Sequence, residues 1–268
     1  SFPPLDVAEI FKKQMGGHPR AWIFTSATLA VQGKFNHYCA ELGLGEPESA
    51  CWESPFDYGK QAVLYAPLGM PEPNSYGYTD AVVDAAWPAV VAANGGAVFL
   101  CTSLRAMRRT HELLKARLED EGLDMPLLVQ GEGSKNDLLQ RFRHHGASIL
   151  VGSQSFWEGV DVRGEALSLV VIDKIPFAPP DDPVLSARIE QMRQQGRNPF
   201  MEYQLPRAVI NVKQGAGRLI RDETDRGVLM ICDPRLLSKP YGRRVWQSLP
   251  PMKRTKELQD VLNFFASR

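Results

Sequence analysis

Residues 97–103 read Ala97-Val98-Phe99-Leu100-Cys101-Thr102-Ser103 and run straight into Leu104-Arg105-Ala106-Met107-Arg108-Arg109. The first five are apolar without alternation and too few for a helix, which is how a strand covered on both faces reads. Ser103 then supplies an N-cap acceptor for a helix through Leu104, Met107, Leu114 and Leu118 that stops at Gly122. The same sentence of strand, cap and helix repeats downstream. Further strands are expected at Pro126–Gln130, Ser148–Val151, Leu167–Ile172 and Val228–Ile231. Ser134 caps a helix running to about His145 before Gly146, and Pro183 fits the first turn of another. Alternation of this kind predicts an α/β fold, a parallel β-sheet flanked by helices on both faces.

Upstream, Thr79 is expected to cap a helix through Val82, Val83, Ala86 and Val90, kinked by Pro88. Ala21–Phe24 reads as a short strand leading into Thr25-Ser26-Ala27-Thr28-Leu29. Residues 41–78, rich in Pro, Gly and Tyr, read as irregular connection.

The whole chain has 268 residues, 44% hydrophobic and 23% charged, which excludes collagen-like, fibrous and disordered readings. Its longest apolar runs fall far below the ~18 residues that cross a bilayer, so no membrane partner is expected. The chain opens on Ser1 with nothing of a secretory signal near it, so it is expected to be cytoplasmic and cut from something longer; a monomer is expected.

Thirty-one basic and 31 acidic residues cancel, but not evenly. Residues 1–187 hold 15 Lys/Arg against 23 Asp/Glu, whereas residues 188–268 hold 16 against 8. The basic third is a candidate anion-binding surface; pairing with the acidic part is the alternative. Cys39, Cys51, Cys101 and Cys232 form no C-x-x-C, and the five histidines form no H-E-x-x-H, so no metal is expected on this chain's own ligands.

Neither Gly33-Lys34 nor Gly59-Lys60 is followed by Ser or Thr, so no phosphate loop is present. Gly131-Glu132-Gly133 lacks the third glycine of a dinucleotide loop, where Asn136 stands, and no D-x-D supports a glycosyltransferase-like nucleotide binder. What is present is Gln214-Gly215-Ala216-Gly217-Arg218-Leu219-Ile220-Arg221. On a helix this spacing lines Gln214, Arg218 and Arg221 along one stripe, beside small residues, able to approach a phosphate chain. Surface pairing of the arginines with Asp222, Glu223 or Asp225 is the other reading. A second constellation, Gly152-Ser153-Gln154-Ser155-Phe156-Trp157-Glu158-Gly159-Val160-Asp161, directly follows a strand, where ligands of open α/β sheets bind. Its alternative is a closed loop in which Trp157 and Phe156 simply pack. Arg105, Arg108, Arg109, Lys115 and Arg117 read as a further basic face on the helix after Cys101, with solvated Arg108 and Arg109 as the alternative.

Taken in order, Thr25–Leu29, Ser54-Pro55-Phe56-Asp57-Tyr58, Phe99–Ser103, Gly152–Asp161 and Gln214–Arg221 resemble the later motifs of superfamily 2 helicases of the DinG/XPD-like group. Gly215–Arg221, Ile231-Cys232-Asp233 and Leu249-Pro250-Pro251 draw the resemblance toward the bacterial YoaA-like branch. The resemblance implies a RecA-like sheet, with residues 1–78 leading from a first RecA-like domain and residues 79–268 forming the second with its C-terminal helices. It implies a motor half that translocates on single-stranded DNA, 5′ to 3′, in repair or replication, inactive as an ATPase alone. ATP and Mg²⁺ would be shared with an N-terminal helicase domain, which would also carry the family's iron-sulfur cluster. By the same resemblance Ser26, Ala27 and Thr28 couple hydrolysis to DNA, and Thr102, Ser103, Arg105 and Ser153 touch its backbone. Glu158, Gly159, Asp161 and Gly217 contact nucleotide, and Gln214, Arg218 and Arg221 face the ATP phosphates. The branch also implies the chi subunit of DNA polymerase III as a partner. A docking module without motor function is the competing expectation.

Overall fold

A computed structural model describes residues 8–17, 20–26, 30, 33–52, 54–153, 156, 166–179 and 182–267. They divide into two compact units, residues 1–54 with 177–211 and residues 55–176 with 212–268.

Among the described residues the larger unit is built on seven strands: β1 (Ala62–Tyr65), β2 (Ala97–Cys101), β3 (Leu127–Val129), β4 (Ile149–Ser153), β5 (Leu169–Ile172), β6 (Gly227–Ile231) and β7 (Lys253–Thr255). All pair in parallel, in the order β3-β4-β2-β5-β6-β1-β7. Val63, Tyr65, Phe99, Val151, Val171 and Met230 share one apolar core with Val82, Val83, Ala86 and Val90, Leu114 and Leu118, and Val261 and Phe265. Their alternates Leu64, Leu100, Leu150, Val170 and Leu229 are buried too. Burial on both faces is why these strands carry no polar alternation, each large side chain contributing roughly 1.5–3 kcal/mol.

The helices of this unit are capped as their ends dictate. Ser103 Oγ accepts from the Ala106 amide to open α5 (Leu104–Glu121), which closes on Gly122 at φ 62°. Ser134 accepts from the Asp137 amide to open α6 (Lys135–His145). The helix α4 (Tyr78–Ala92) starts one residue before Thr79, after Gly77 at φ 80°, so Thr79 is a helical residue rather than its cap. α4 and α5 are stitched by Asp80–Arg109, Asp84–Arg117 and Trp87 Nε1 donating to Glu121 Oε1 at 2.6 Å.

Residues 41–78, expected to be irregular, include the short helix α3 (Tyr58–Gln61) and the internal strand β1. Ala62-Val63-Leu64-Tyr65 is a four-residue apolar run buried along its whole length, and its brevity hid it among prolines and glycines. β7 was not expected either: Lys253-Arg254-Thr255 lies on the sheet edge with two of three residues exposed, a charged edge that discourages further pairing. After β6 come α9 (Arg235–Ser238) and α10 (Gly242–Ser248), and α11 (Leu258–Ala266) closes the unit.

The smaller unit contains α1 (Ala8–Met15), α2 (Asn36–Leu42) and α7 (Pro183–Gln194). Asp182 caps α7 at the Val184 and Leu185 amides, with Pro183 in its first turn. Residues 20–26 form no strand, where Ala21–Phe24 was expected to be one. Trp22 and Phe24 pack with Phe11 instead, at ring-centroid distances of 5.7 and 5.8 Å.

Candidate functional site

Thr102 leaves β2 at its carboxyl end, where Asp173 leaves β5. The Asp173 carboxylate accepts from the Thr102 amide at 3.0 and 3.1 Å, from the Thr102 hydroxyl at 3.2 Å and from the Lys174 amide at 2.6 Å. Asp173 is buried, and desolvation pushes its pKa up to about 6 against these donors. One strand over, buried Asp233 accepts from the Ile175 amide at 2.8 Å and holds Arg235 through Nε and Nη2 at 2.9 and 2.6 Å. The Tyr78 hydroxyl completes this end, donating to the carbonyls of Asp173 at 2.7 Å and Cys232 at 3.2 Å. Burial raises the pKa of that phenol and of the Cys101 and Cys232 thiols. The exits of β2, β5 and β6 are therefore a rigid, hydrogen-bonded platform. Ser103 and Arg105 stand exposed on it at the start of α5.

Ser153, at the carboxyl end of β4, is buried; its amide and hydroxyl both donate to Gln130 Oε1, at 2.7 and 2.9 Å. Phe156 is buried beneath the Lys135 ammonium, 5.3 Å from the ring centroid, and so packs. Glu158, Gly159 and Asp161 lie outside the described residues, as do Ala27 and Thr28; Ser26 is exposed in the smaller unit.

The expected stripe at Gln214, Arg218 and Arg221 takes a different form. The helix α8 (Leu205–Ala216) includes Gln214 but ends before Arg218. Arg218 and Leu219 donate their amides to Gly215 and Ala216, a tightened last turn, and Arg221 donates its amide to Asp225 Oδ2 at 2.8 Å. Gly215 and Gly217 weaken helical continuation here, and burial of Leu219 and Ile220 anchors the turn. Gln214, Arg218 and Arg221 are half-buried and Gly217 is exposed. This element lies toward the amino end of the sheet, opposite the Thr102 platform, because the segment after it enters β6 at Gly227. A Cβ at Gly227 would fall 2.7 Å from the Ser168 carbonyl oxygen and 2.4 Å from Leu219 Cδ1, so glycine lets β6 start this close to its neighbours.

The basic face expected on α5 is largely cancelled. Arg109 and Arg117 turn to Asp80 and Asp84 of α4, and Lys115 lies 3.9 Å from Glu119. Arg105 and Arg108 remain exposed, without an ion-pair partner among the described residues. Sequence reasoning did not single out Asp173, Tyr78 or Gln130, and it named Asp233 only within Ile231-Cys232-Asp233, with no role. A readable signal existed for the two carboxylates, since each follows a buried apolar strand run directly or by one residue.

The model of the Helicase C-terminal domain family matches residues 87–252. The ATP-dependent DNA helicase YoaA of Escherichia coli K12 is 48% identical over 263 residues, 98% of this chain and 41% of that protein. The ATP-dependent helicase DinG of Mycobacterium tuberculosis H37Ra is 37% identical, over 96% of this chain and 39% of that protein. A solved XPD helicase superposes with a TM-score of 0.52 at 18% identity, over 73% of this chain and 35% of its own, a likeness of fold. The chain spans about two fifths of the length of the curated relatives it matches.

Proposed function

Since this chain belongs to the helicase C-terminal domain family, with a RecA-like fold, we propose that it is the second motor domain of an ATP-dependent helicase acting on single-stranded DNA. The observation that carries this reading is the family match over residues 87–252, within which Thr102, Ser103, Arg105, Arg218 and Arg221 all fall. On this reading the exits of β2 and β4 set Thr102, Ser103 and Arg105, and Ser153, along a phosphodiester backbone. The Thr102 amide and hydroxyl are spent on Asp173, so the platform supports that role by fixing the turn from which Ser103 and the exposed Arg105 guanidinium reach a phosphate. Gln214, Arg218 and Arg221 face the phosphates of ATP, where a guanidinium stabilises charge that builds in the transition state. Gly217 keeps the backbone open beside them, and Glu158, Gly159 and Asp161 link the nucleotide to the DNA.

No G-x-x-x-x-G-K-[ST] occurs in the sequence, so a preceding RecA-like domain supplies the phosphate loop and holds Mg²⁺ with ATP. The iron-sulfur cluster of the family belongs to that preceding part. Movement is 5′ to 3′, the setting is DNA repair or replication in the bacterial cytoplasm, and this chain alone hydrolyses no ATP. Alanine at Arg218 and Arg221 in the longer helicase is expected to lower the DNA-stimulated ATPase by about 10³-fold, the lower end of what an arginine finger contributes. Unchanged ATPase in that variant, or appreciable ATPase from this chain alone, overturns the reading.

One observation favours a docking role alongside the motor. Residues 234–256 hold seven Lys/Arg and no Asp/Glu, and Lys239, Arg243, Arg244, Lys253, Arg254 and Lys256 are exposed. Such a face suits a partner protein, and the chi subunit of DNA polymerase III is the one the resemblance implies.

A further inference from the structure

The Ser54–Tyr58 motif has no part in the chemistry above, yet it mounts a side chain that reaches the arginine element. The Asp57 carbonyl accepts from the amides of Lys60 and Gln61, closing the single turn of α3. Tyr58 is buried beneath it, and Phe56 meets the Tyr58 ring edge-on at 6.2 Å. Gln61 ends that turn immediately before β1, whose register pairs Ala62 with Gly227 of β6. Sheet pairing thus brings Gln61 to the segment that precedes β6.

There the Gln61 side chain is only 7% exposed. Its Nε2 donates to three main-chain carbonyls, those of Asp222 at 2.8 Å, Glu223 at 3.1 Å and Asp225 at 3.0 Å. From the other side the buried Asp225 carboxylate accepts from the amides of Arg221 at 2.8 Å and Asp222 at 2.9 Å. Residues 221–225 are therefore fastened through their carbonyls by Gln61 and through their amides by Asp225. The chemistry selects glutamine: an amide nitrogen has two hydrogens to share among converging carbonyls and no charge to desolvate. A glutamate would set its carboxylate against three oxygens, and an asparagine falls one methylene short.

We propose that Gln61 is a positioning residue for Arg221, holding the 221–225 loop so that the arginine main chain enters the ATP-facing turn in one conformation. The inference rests on the reading of Arg221 as a phosphate-facing residue. Gln61 touches no substrate; it acts through the loop, and couples the start of β1 to the arginine element across 161 positions of sequence.

The test is a double-mutant cycle in the longer helicase that carries this chain, with Gln61→Met, Arg221→Ala and their combination, reading kcat and KM for ATP together with DNA affinity. Gln61→Met keeps the length and apolar bulk and removes the donor. It is expected to lower kcat about tenfold with DNA affinity within twofold, and the double variant is expected to be no slower than Arg221→Ala. Gln61→Asn, a milder change, is expected to give an intermediate loss, and melting curves of each variant confirm that it is folded. A Gln61→Met enzyme with wild-type kcat, or losses that multiply in the double variant, overturns the proposal. An Arg221→Ala enzyme with wild-type kcat instead overturns the functional reading on which it rests.

Discussion

The two ends of the sheet are held by different chemistry. At the carboxyl end, buried carboxylates of Asp173 and Asp233 gather the amides and hydroxyl that leave β2 and β5, and the guanidinium beyond β6. At the amino end, a neutral amide from Gln61 gathers three carbonyls. The difference follows from what each end must satisfy. The amides of Thr102, Lys174 and Ile175 call for acceptors, whereas the 222–225 loop turns three carbonyls onto Gln61 and calls for a donor. In consequence the end read as gripping DNA is gathered by two buried carboxylates, whereas at the end read as facing ATP a neutral amide holds the carbonyls and the one buried carboxylate of Asp225 holds the amides.

Removing one carboxylate is the harshest way to break this comparison. Asp233→Ala strands Arg235, half-buried, and leaves the Ile175 amide unpaired. A loss of about 3–5 kcal/mol is expected, seen as a melting point lower by roughly 10 °C. A loss below about 1 kcal/mol would mean that the ion pair holds nothing in place.

The second prediction concerns Asp173. Asp173 has a folded pKa raised to about 6 from an ordinary 3.8, so the folded state binds its proton more tightly than the unfolded chain does. Its contribution to stability is full below pH 4 and fades as pH climbs through 6, a difference of up to about 3 kcal/mol. Relative to Asp173→Asn, the wild type is expected to lose ground between pH 4 and pH 7 in paired melting curves. A stability gap that stays constant over that range contradicts the assignment.

The smallest effect sharpens the contrast between built ends and solvated flanks. Arg109→Ala breaks an exposed pair with Asp80 on the seam of α4 and α5. It is expected to move the melting curve only slightly, with the shift shrinking as salt is added. A shift that is larger and insensitive to salt would place that seam with the buried network.

Much of this architecture was legible because burial on both faces writes itself as short runs of Val, Ile and Leu, closed by Ser103 and Ser134 as caps. β7 was not legible, since an edge strand of Lys253, Arg254 and Thr255 satisfies the ladder without apolar side chains. The arginine stripe failed for a local reason: the 4-then-3 spacing presumed a helix through Gly217, and the helix stops at Ala216. Gln61 and Gln130 stayed invisible because their partners lie 161 and 23 positions away and depend on register, which no local pattern encodes. The basic face of α5 was overcounted for the same reason, its cancelling aspartates sitting on another helix.

The central claim is that the carboxyl end of the sheet grips a phosphate chain, and the most direct measurement is fluorescence anisotropy of this chain with single-stranded DNA across a salt series. Affinity is expected to fall steeply with salt, and Arg105→Glu to weaken binding and flatten the slope by about one phosphate contact. Absence of binding even at low salt, or a slope that Arg105→Glu leaves untouched, would contradict the claim.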